Sequence, residues 1–144
     1  MKLQILNEIE ATEIQVKSYL ELLKVTHEVK KNAYSAYSGF QVGAALLMKS
    51  GEVILGCNVE NASYGLTMCA ERAAIFKAVS EGFRPGDFLA LAIASSGTDF
   101  SPCGACRQVI HEFGADVVLI FEFQKKIVIS NASKMLPYGY KEAD

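Results

Sequence analysis

Residues 88–114 read FLALAIASSGTDFSPCGACRQVIHEFG, and the change of character along this stretch decides the architecture. Phe88 to Ala94 is a short apolar run bounded by polar residues, which predicts a buried strand. A polar loop follows. From Cys103 to Phe113 the pattern predicts a helix, and Gly114 ends it.

Working outward, Cys69 to about Glu81 is an alanine-rich helix stopped by Gly82, the residue type that best tolerates the conformation following a helix. Phe40–Met48 and Glu52–Cys57 predict two strands, joined as a hairpin through Lys49-Ser50-Gly51. From Thr12 to Lys31 the apolar residues Ile14, Val16, Leu20, Leu22, Leu23, Val25 and Val29 mostly keep helical spacing, with Thr12 or a neighbour as the cap. Val117–Phe121 and Ile127–Ile129 are two further β-rich segments around Gln124-Lys125-Lys126. The order α-β-β-α-β-α-β-β predicts the α/β class, with a mixed sheet of about five strands between helices. Residues 1–11 are assigned no role.

With 144 residues, 51% of them hydrophobic and 21% charged, the chain suits one domain spanning 1–144 with a continuous core. A formal net charge of -2 provides no global basic field for nucleic acid. The apolar start Met1–Leu6 is too short for a signal-peptide core, and no run reaches membrane-spanning length. A cytoplasmic protein without a nucleic-acid or membrane partner is expected. In that reducing compartment the four cysteines are first read as metal ligands and only then as disulfides.

The sharpest chemical signal is Pro102-Cys103-Gly104-Ala105-Cys106, a Cys-x-x-Cys pair where a loop enters a helix. Alone it fits a structural zinc site, a redox pair or buried thiols. Cys69-Ala70-Glu71 opens the other central helix in the same way. Helix N-termini offset the negative charge of thiolates with backbone dipoles and free N–H groups. Three thiolate ligands would leave the fourth tetrahedral position of a Zn²⁺ ion for water, whose pKa the metal lowers. Glu71, near a ligand but not itself one, is the candidate proton carrier. The pattern of three ligands, a non-ligand Glu and Pro-Cys-x-x-Cys is that of the zinc deaminases.

Cys69-Ala70-Glu71-Arg72 with Pro102-Cys103-Gly104-Ala105-Cys106-Arg107-Gln108 resembles the cytidine deaminase family. Phe40-Gln41-Val42-Gly43-Ala44-Ala45 and Asn58-Val59-Glu60-Asn61-Ala62-Ser63-Tyr64 extend the similarity, which runs from about Leu20 to Tyr140. The resemblance implies a three-layer α/β/α sandwich and hydrolytic deamination of cytidine and deoxycytidine. It implies that Cys69, Cys103 and Cys106 hold one zinc ion and that Glu71 moves protons. Arg72 would donate to the ligand thiolates. Phe40 would pack on the pyrimidine and Asn58 and Glu60 would bind the sugar hydroxyls, with Ala62, Tyr64 and Ala70 as further substrate contacts. Ala62 and Tyr64 match a stretch that reaches a neighbouring site in the homotetrameric branch, so a homotetramer with shared sites is implied.

Two departures carry expectations of their own. Ala36 stands where the family often has Pro, which implies a looser loop before Phe40. Leu136-Pro137-Tyr138-Gly139-Tyr140 resembles an aromatic tail that closes the site, with Tyr for the commoner Phe. Cys57 could complete a structural four-thiolate site, making a zinc-stabilised binding module, but its place at the end of an apolar strand suits a small buried residue. His27 and His111 have no partner at ligand spacing and are expected to be surface or packing residues. A related deaminase of a modified cytosine nucleoside or nucleoside-like antibiotic is the nearest enzymatic alternative.

Overall fold

The computed structural model describes residues 3–143. Its centre is strand β4 (Phe88–Ser95), whose alternate residues serve two cores. Ala90, Ala92 and Ala94 face one helical layer, while Leu91 and Ile93 face the other. A strand buried on both sides loses the polar alternation of a surface strand, which is why the run reads as continuously apolar.

Around it lie β1 (Gln4–Asn7), α1 (Glu13–Val29), β2 (Val42–Met48), β3 (Val53–Cys57), α2 (Ala70–Ser80), α3 (Gly104–Phe113), β5 (Val118–Phe123), β6 (Lys126–Asn131) and the short α4 (Ala132–Met135). One six-stranded sheet has the order β1-β6-β5-β4-β2-β3. The β4/β5 and β1/β6 pairs are parallel and the rest antiparallel, so the sheet is mixed. The expected sheet of about five strands gains one, because β1 falls within residues 1–11, to which no role was assigned. Its four residues are all exposed, leaving no inward–outward alternation to betray a strand.

Helix α1 starts at the predicted Thr12. The Thr12 side chain accepts from the Gln15 N–H and the Gln15 side chain accepts from the Thr12 N–H, a reciprocal cap. Its buried Tyr19, Leu22 and Leu23 pack on the alanines of β4, whose small side chains let the helix approach. Each such large apolar side chain contributes roughly 1.5–3 kcal/mol on full burial. Helices α2, α3 and α4 share the opposite core. The result is the α/β/α sandwich.

Close contact fixes the height of α2. A Cβ added to Gly56 of β3 would lie 2.6 Å from both the Ala70 carbonyl oxygen and the Ala74 nitrogen. No side chain fits there, so the first turn of α2 rests directly on the strand. Its N-terminus, carrying Cys69, is set against the sheet by that contact.

Among the described residues no helix is long and apolar enough to cross a membrane. His27 pairs its Nε2 with Glu122 Oε1 at 2.9 Å, a contact between α1 and β5. It is half-exposed and surface-located, as expected of a packing residue.

Candidate metal centre and active site

Two helices bring their first turns together. Cys69 is the N-cap of α2, with φ -71° and ψ 152°, and Cys103 is the N-cap of α3, with φ -65° and ψ 165°. Both have extended backbone, so their side chains are released from the helical repeat. This is what lets Cys69 and Glu71 converge although residues two apart within a helix diverge. Cys106 follows on the first turn of α3, fully buried, and its N–H donates to Cys103 Sγ at 3.4 Å.

The three sulfurs of Cys69, Cys103 and Cys106 all lie within 4.8 Å of one another. Cys57, at the end of β3, is outside this group, so the four-thiolate alternative finds no support in the geometry. Arg72 donates from its guanidinium to Cys69 Sγ at 3.2 Å. The Cys69 thiol is drawn down to about 5, first by its hydrogen bond with Cys106 and then by Arg72. Cys106 moves up, because it shares that hydrogen bond and is buried. Three crowded sulfurs beside one cation form a donor set that can hold a divalent metal, and soft thiolates suit zinc.

Glu71 is only 2% exposed, and burial raises its carboxyl above the ordinary range. Its Oε1 has no hydrogen-bond partner among the described residues. A buried, unpaired carboxylate oxygen is costly unless function requires it. Glu71 lines a cavity of about 220 Å³ together with Cys69, Ala70, Cys103, Phe40 and Asn58. Ser101, Thr67, Met68, Val42 and Phe100 complete its walls.

Thr67 also borders a second cavity, of about 370 Å³, lined by Tyr37, Ser38, Glu60 and Tyr64. The first cavity is mostly apolar and the second presents a carboxylate. Glu60 accepts from the Tyr37 and Ser38 N–H groups, each at 3.0 Å, and from the Ser38 hydroxyl. These bonds, the Ser38 hydroxyl foremost, hold its carboxyl below the ordinary value. They also tie down the loop that Ala36 was expected to loosen.

Asn58 is buried, and its side chain spans two strands' ends. Its Oδ1 accepts from the Val42 N–H at 2.8 Å, and its Nδ2 donates to the Phe40 carbonyl at 2.9 Å. One amide hydrogen and one lone pair remain for another partner. Of the predicted site residues, Cys69, Ala70, Glu71, Cys103, Phe40 and Asn58 meet in one cavity, and Glu60 and Tyr64 meet in the adjoining one. Cys106 completes the sulfur cluster and Arg72 supports it. Ala62 is exposed and lines neither cavity, nor do Tyr138 and Tyr140. Sequence reasoning missed Ser38, Thr67, Met68 and Phe100. Only Ser38 left a signal, as a hydroxyl within the Tyr37–Phe40 stretch.

An α/β/α sandwich with cysteines gathered at two helix N-termini and a buried carboxyl beside them fits the class of metalloenzymes whose metal is held by cysteines. Residues 16–122 match the model of the cytidine and deoxycytidylate deaminase zinc-binding region. The chain belongs to that family. It is 50% identical over 126 residues to a cytidine deaminase of Halalkalibacterium halodurans, covering 85% of this chain and 94% of the relative. The crystal structure of cytidine deaminase from Burkholderia pseudomallei superimposes with a TM-score of 0.80 at 42% identity, over 84% of this chain and 98% of the other. A blasticidin-S deaminase of Bacillus cereus is 32% identical over 129 residues, 84% of this chain and 91% of its own length.

Proposed function

We propose that this chain hydrolyses cytidine and deoxycytidine to uridine and deoxyuridine, releasing ammonia, as one domain using one zinc ion per subunit. The observation that carries this reading is Glu71: a buried carboxylate with an unpartnered oxygen, lining the same small cavity as Cys69 and Cys103. Cys69, Cys103 and Cys106 would hold the zinc. Bound there, it would supply the Lewis acidity that makes a water nucleophilic at neutral pH.

The remaining work falls to the chain's own residues. Glu71 takes the proton that the attacking water loses, holds it at Oε1, and passes it to ring N3. A second transfer through the same carboxylate reaches the departing amine, so ammonia leaves and the carbonyl of uridine forms. Burial raises the affinity of Glu71 for a proton, the direction that a carboxyl acting as proton carrier requires. Arg72 draws electron density from Cys69 and limits the negative charge that three thiolates would otherwise place on the site. Phe40 and Ala70 would border the base, and Asn58, which lines the same cavity, would bind a sugar hydroxyl.

Glu60 sets the substrate class. Its remaining lone pairs can accept from sugar hydroxyls, whereas a phosphate in the same cavity would be repelled. A free nucleoside is therefore favoured over a nucleotide or a polymer. Tyr64 is 77% exposed and Tyr138 and Tyr140 stand outside both cavities, which suits aromatic groups completed by neighbouring subunits in a homotetramer. A cytoplasmic enzyme of pyrimidine salvage would keep Cys69, Cys103 and Cys106 reduced, as metal-holding cysteines must be.

The decisive assay follows the ultraviolet absorbance of cytidine mixed with the purified protein, with Glu71→Gln alongside. Conversion by the wild type and near-silence from the variant are expected. Turnover of a nucleoside-like antibiotic such as blasticidin S, with cytidine untouched, would overturn the nucleoside assignment.

A further inference from the structure

Two arginines follow the cluster cysteines in sequence, and they are used differently. Arg72 donates to Cys69, whereas the side chain of Arg107, next to Cys106 on the first turn of α3, donates to oxygens of three other residues. Its Nε donates to the Pro102 carbonyl at 2.7 Å, its Nη2 to the Ser101 hydroxyl at 2.8 Å and its Nη1 to the Met135 carbonyl at 3.0 Å. Among the described residues, the hydrogen bonds made to Ser101 and Pro102 all come from this one guanidinium.

Those two residues lead directly into Cys103. Pro102 is fully buried, and Ser101 shares the wall of the smaller cavity with Cys103 and Glu71. As an N-cap, Cys103 stands outside the helical repeat, so its Sγ is aimed by the backbone that enters it as much as by α3. The turn has no ladder to hold it, and proline brings no N–H with which to build one. A guanidinium presents its N–H groups as a rigid planar fork, so engaging three acceptors at once fixes their relative positions. The third acceptor closes the frame. Met135 ends α4, where a helix leaves carbonyls without intrahelical partners, and it packs on the core that α2 and α3 share.

We propose that Arg107 is a positioning residue of the active site, holding the Ser101–Pro102 turn so that Cys103 Sγ stays within the sulfur cluster. It lines neither cavity and acts through the turn. The inference rests on the nucleoside-deaminase reading for its kinetic consequence, and on the sulfur cluster alone for its effect on metal binding. Lysine keeps the charge but presents a point rather than a fork, so it cannot hold all three acceptors.

The test compares wild type, Arg107→Met and Arg107→Lys by the absorption bands of the Co²⁺-loaded protein, by zinc affinity against a chromophoric chelator, and by kcat and KM for cytidine. Thr12→Ala, which removes the α1 cap on the opposite face of the sheet, shows what loss of stability alone does. In Arg107→Met the thiolate-to-cobalt bands should shift and zinc affinity fall about 10–100-fold, with Arg107→Lys in between and Thr12→Ala like wild type. The kcat of Arg107→Met should fall by a larger factor than KM rises. A folded Arg107→Met with unchanged bands and a zinc affinity within about twofold of wild type overturns the proposal and leaves Arg107 a clamp on α4. Should Arg107→Met not fold, Arg107→Lys and Ser101→Ala carry the same two readings, and no change in either variant overturns it. If the wild type binds metal yet leaves cytidine untouched, the deaminase reading fails separately, and the bands and affinities still decide the role of Arg107.

Discussion

Arg72 reaches back one helical turn to place its guanidinium 3.2 Å from Cys69 Sγ, while its own Nε finds no partner among the described residues. A cation committed to a sulfur rather than to a carboxylate favours the thiolate form of Cys69. Groups that orient and neutralise metal ligands typically change affinity 10–100-fold when removed. Arg72→Gln should therefore weaken zinc binding by about that factor. Competition with a chromophoric chelator measures it. An unchanged affinity would reduce Arg72 to a packing residue.

Glu71→Gln keeps the shape of the side chain but removes its capacity to carry a proton. General acid–base groups contribute about 10²–10⁴-fold, so kcat should fall by at least the lower figure. Zinc stoichiometry and Tm should hold at or above the wild-type values, because the variant also relieves a buried, unpaired carboxylate. A variant that lost its zinc would instead make Glu71 part of the metal's support.

Glu60 carries a pH prediction with a definite sign. Its carboxyl lies below the ordinary value in the folded chain, mainly through the Ser38 hydroxyl. A lowered carboxyl stabilises the loop at every pH above the ordinary range, and that contribution is lost as pH falls through the folded value. The amide resonances of Tyr37 and Ser38 should stay constant from pH 7 to about 5 and titrate only below about 4.3. A midpoint above that would contradict the hydrogen-bond pattern. Glu60→Gln should raise KM for cytidine about tenfold with a smaller effect on kcat, since it removes a charge-assisted contact remote from the reacting atoms.

Gly56→Ala probes the seat of α2. Its new methyl would lie 2.6 Å from two backbone atoms of α2, the Ala70 carbonyl oxygen and the Ala74 nitrogen, and backbone cannot rotate away. Overpacking of this kind costs about 1–3 kcal/mol, and the shift would move Cys69 and Glu71 together. Chemical denaturation should show the loss of stability. Activity should fall further than the population of folded protein explains.

Much of the site was legible because its chemistry depends on local spacing. Pro102-Cys103-Gly104-Ala105-Cys106 and Cys69-Ala70-Glu71 place three cysteines that could hold a metal ion at two helix starts, and loop-to-helix transitions leave clear marks in a sequence. The buried strand at Phe88–Ala94 was equally visible. What escaped depends on meetings between distant segments. Phe100 is an aromatic residue in a polar loop, and only the folded chain sets it against Phe40. The Asn58 side chain could be read as a sugar contact, yet its hydrogen bonds to Val42 and Phe40 show it first joining the strand ends that frame the cavity. Ala62 belongs to a matching motif but lies outside both cavities, because a motif marks a segment and not each side chain's direction.

The parallel pairing of Gln4–Asn7 with Lys126–Ile129 bears on how the molecule assembles during synthesis. An early strand has to wait for one that emerges almost a whole chain later. Until then, its row of backbone donors and acceptors is open to mispairing, and such long-range closure is slow to form. Helix α1 can form meanwhile, since its reciprocal cap is local. The nascent chain is thus expected to build its hairpin and thiolate helices first, with the outermost strand closing the sheet as a late step.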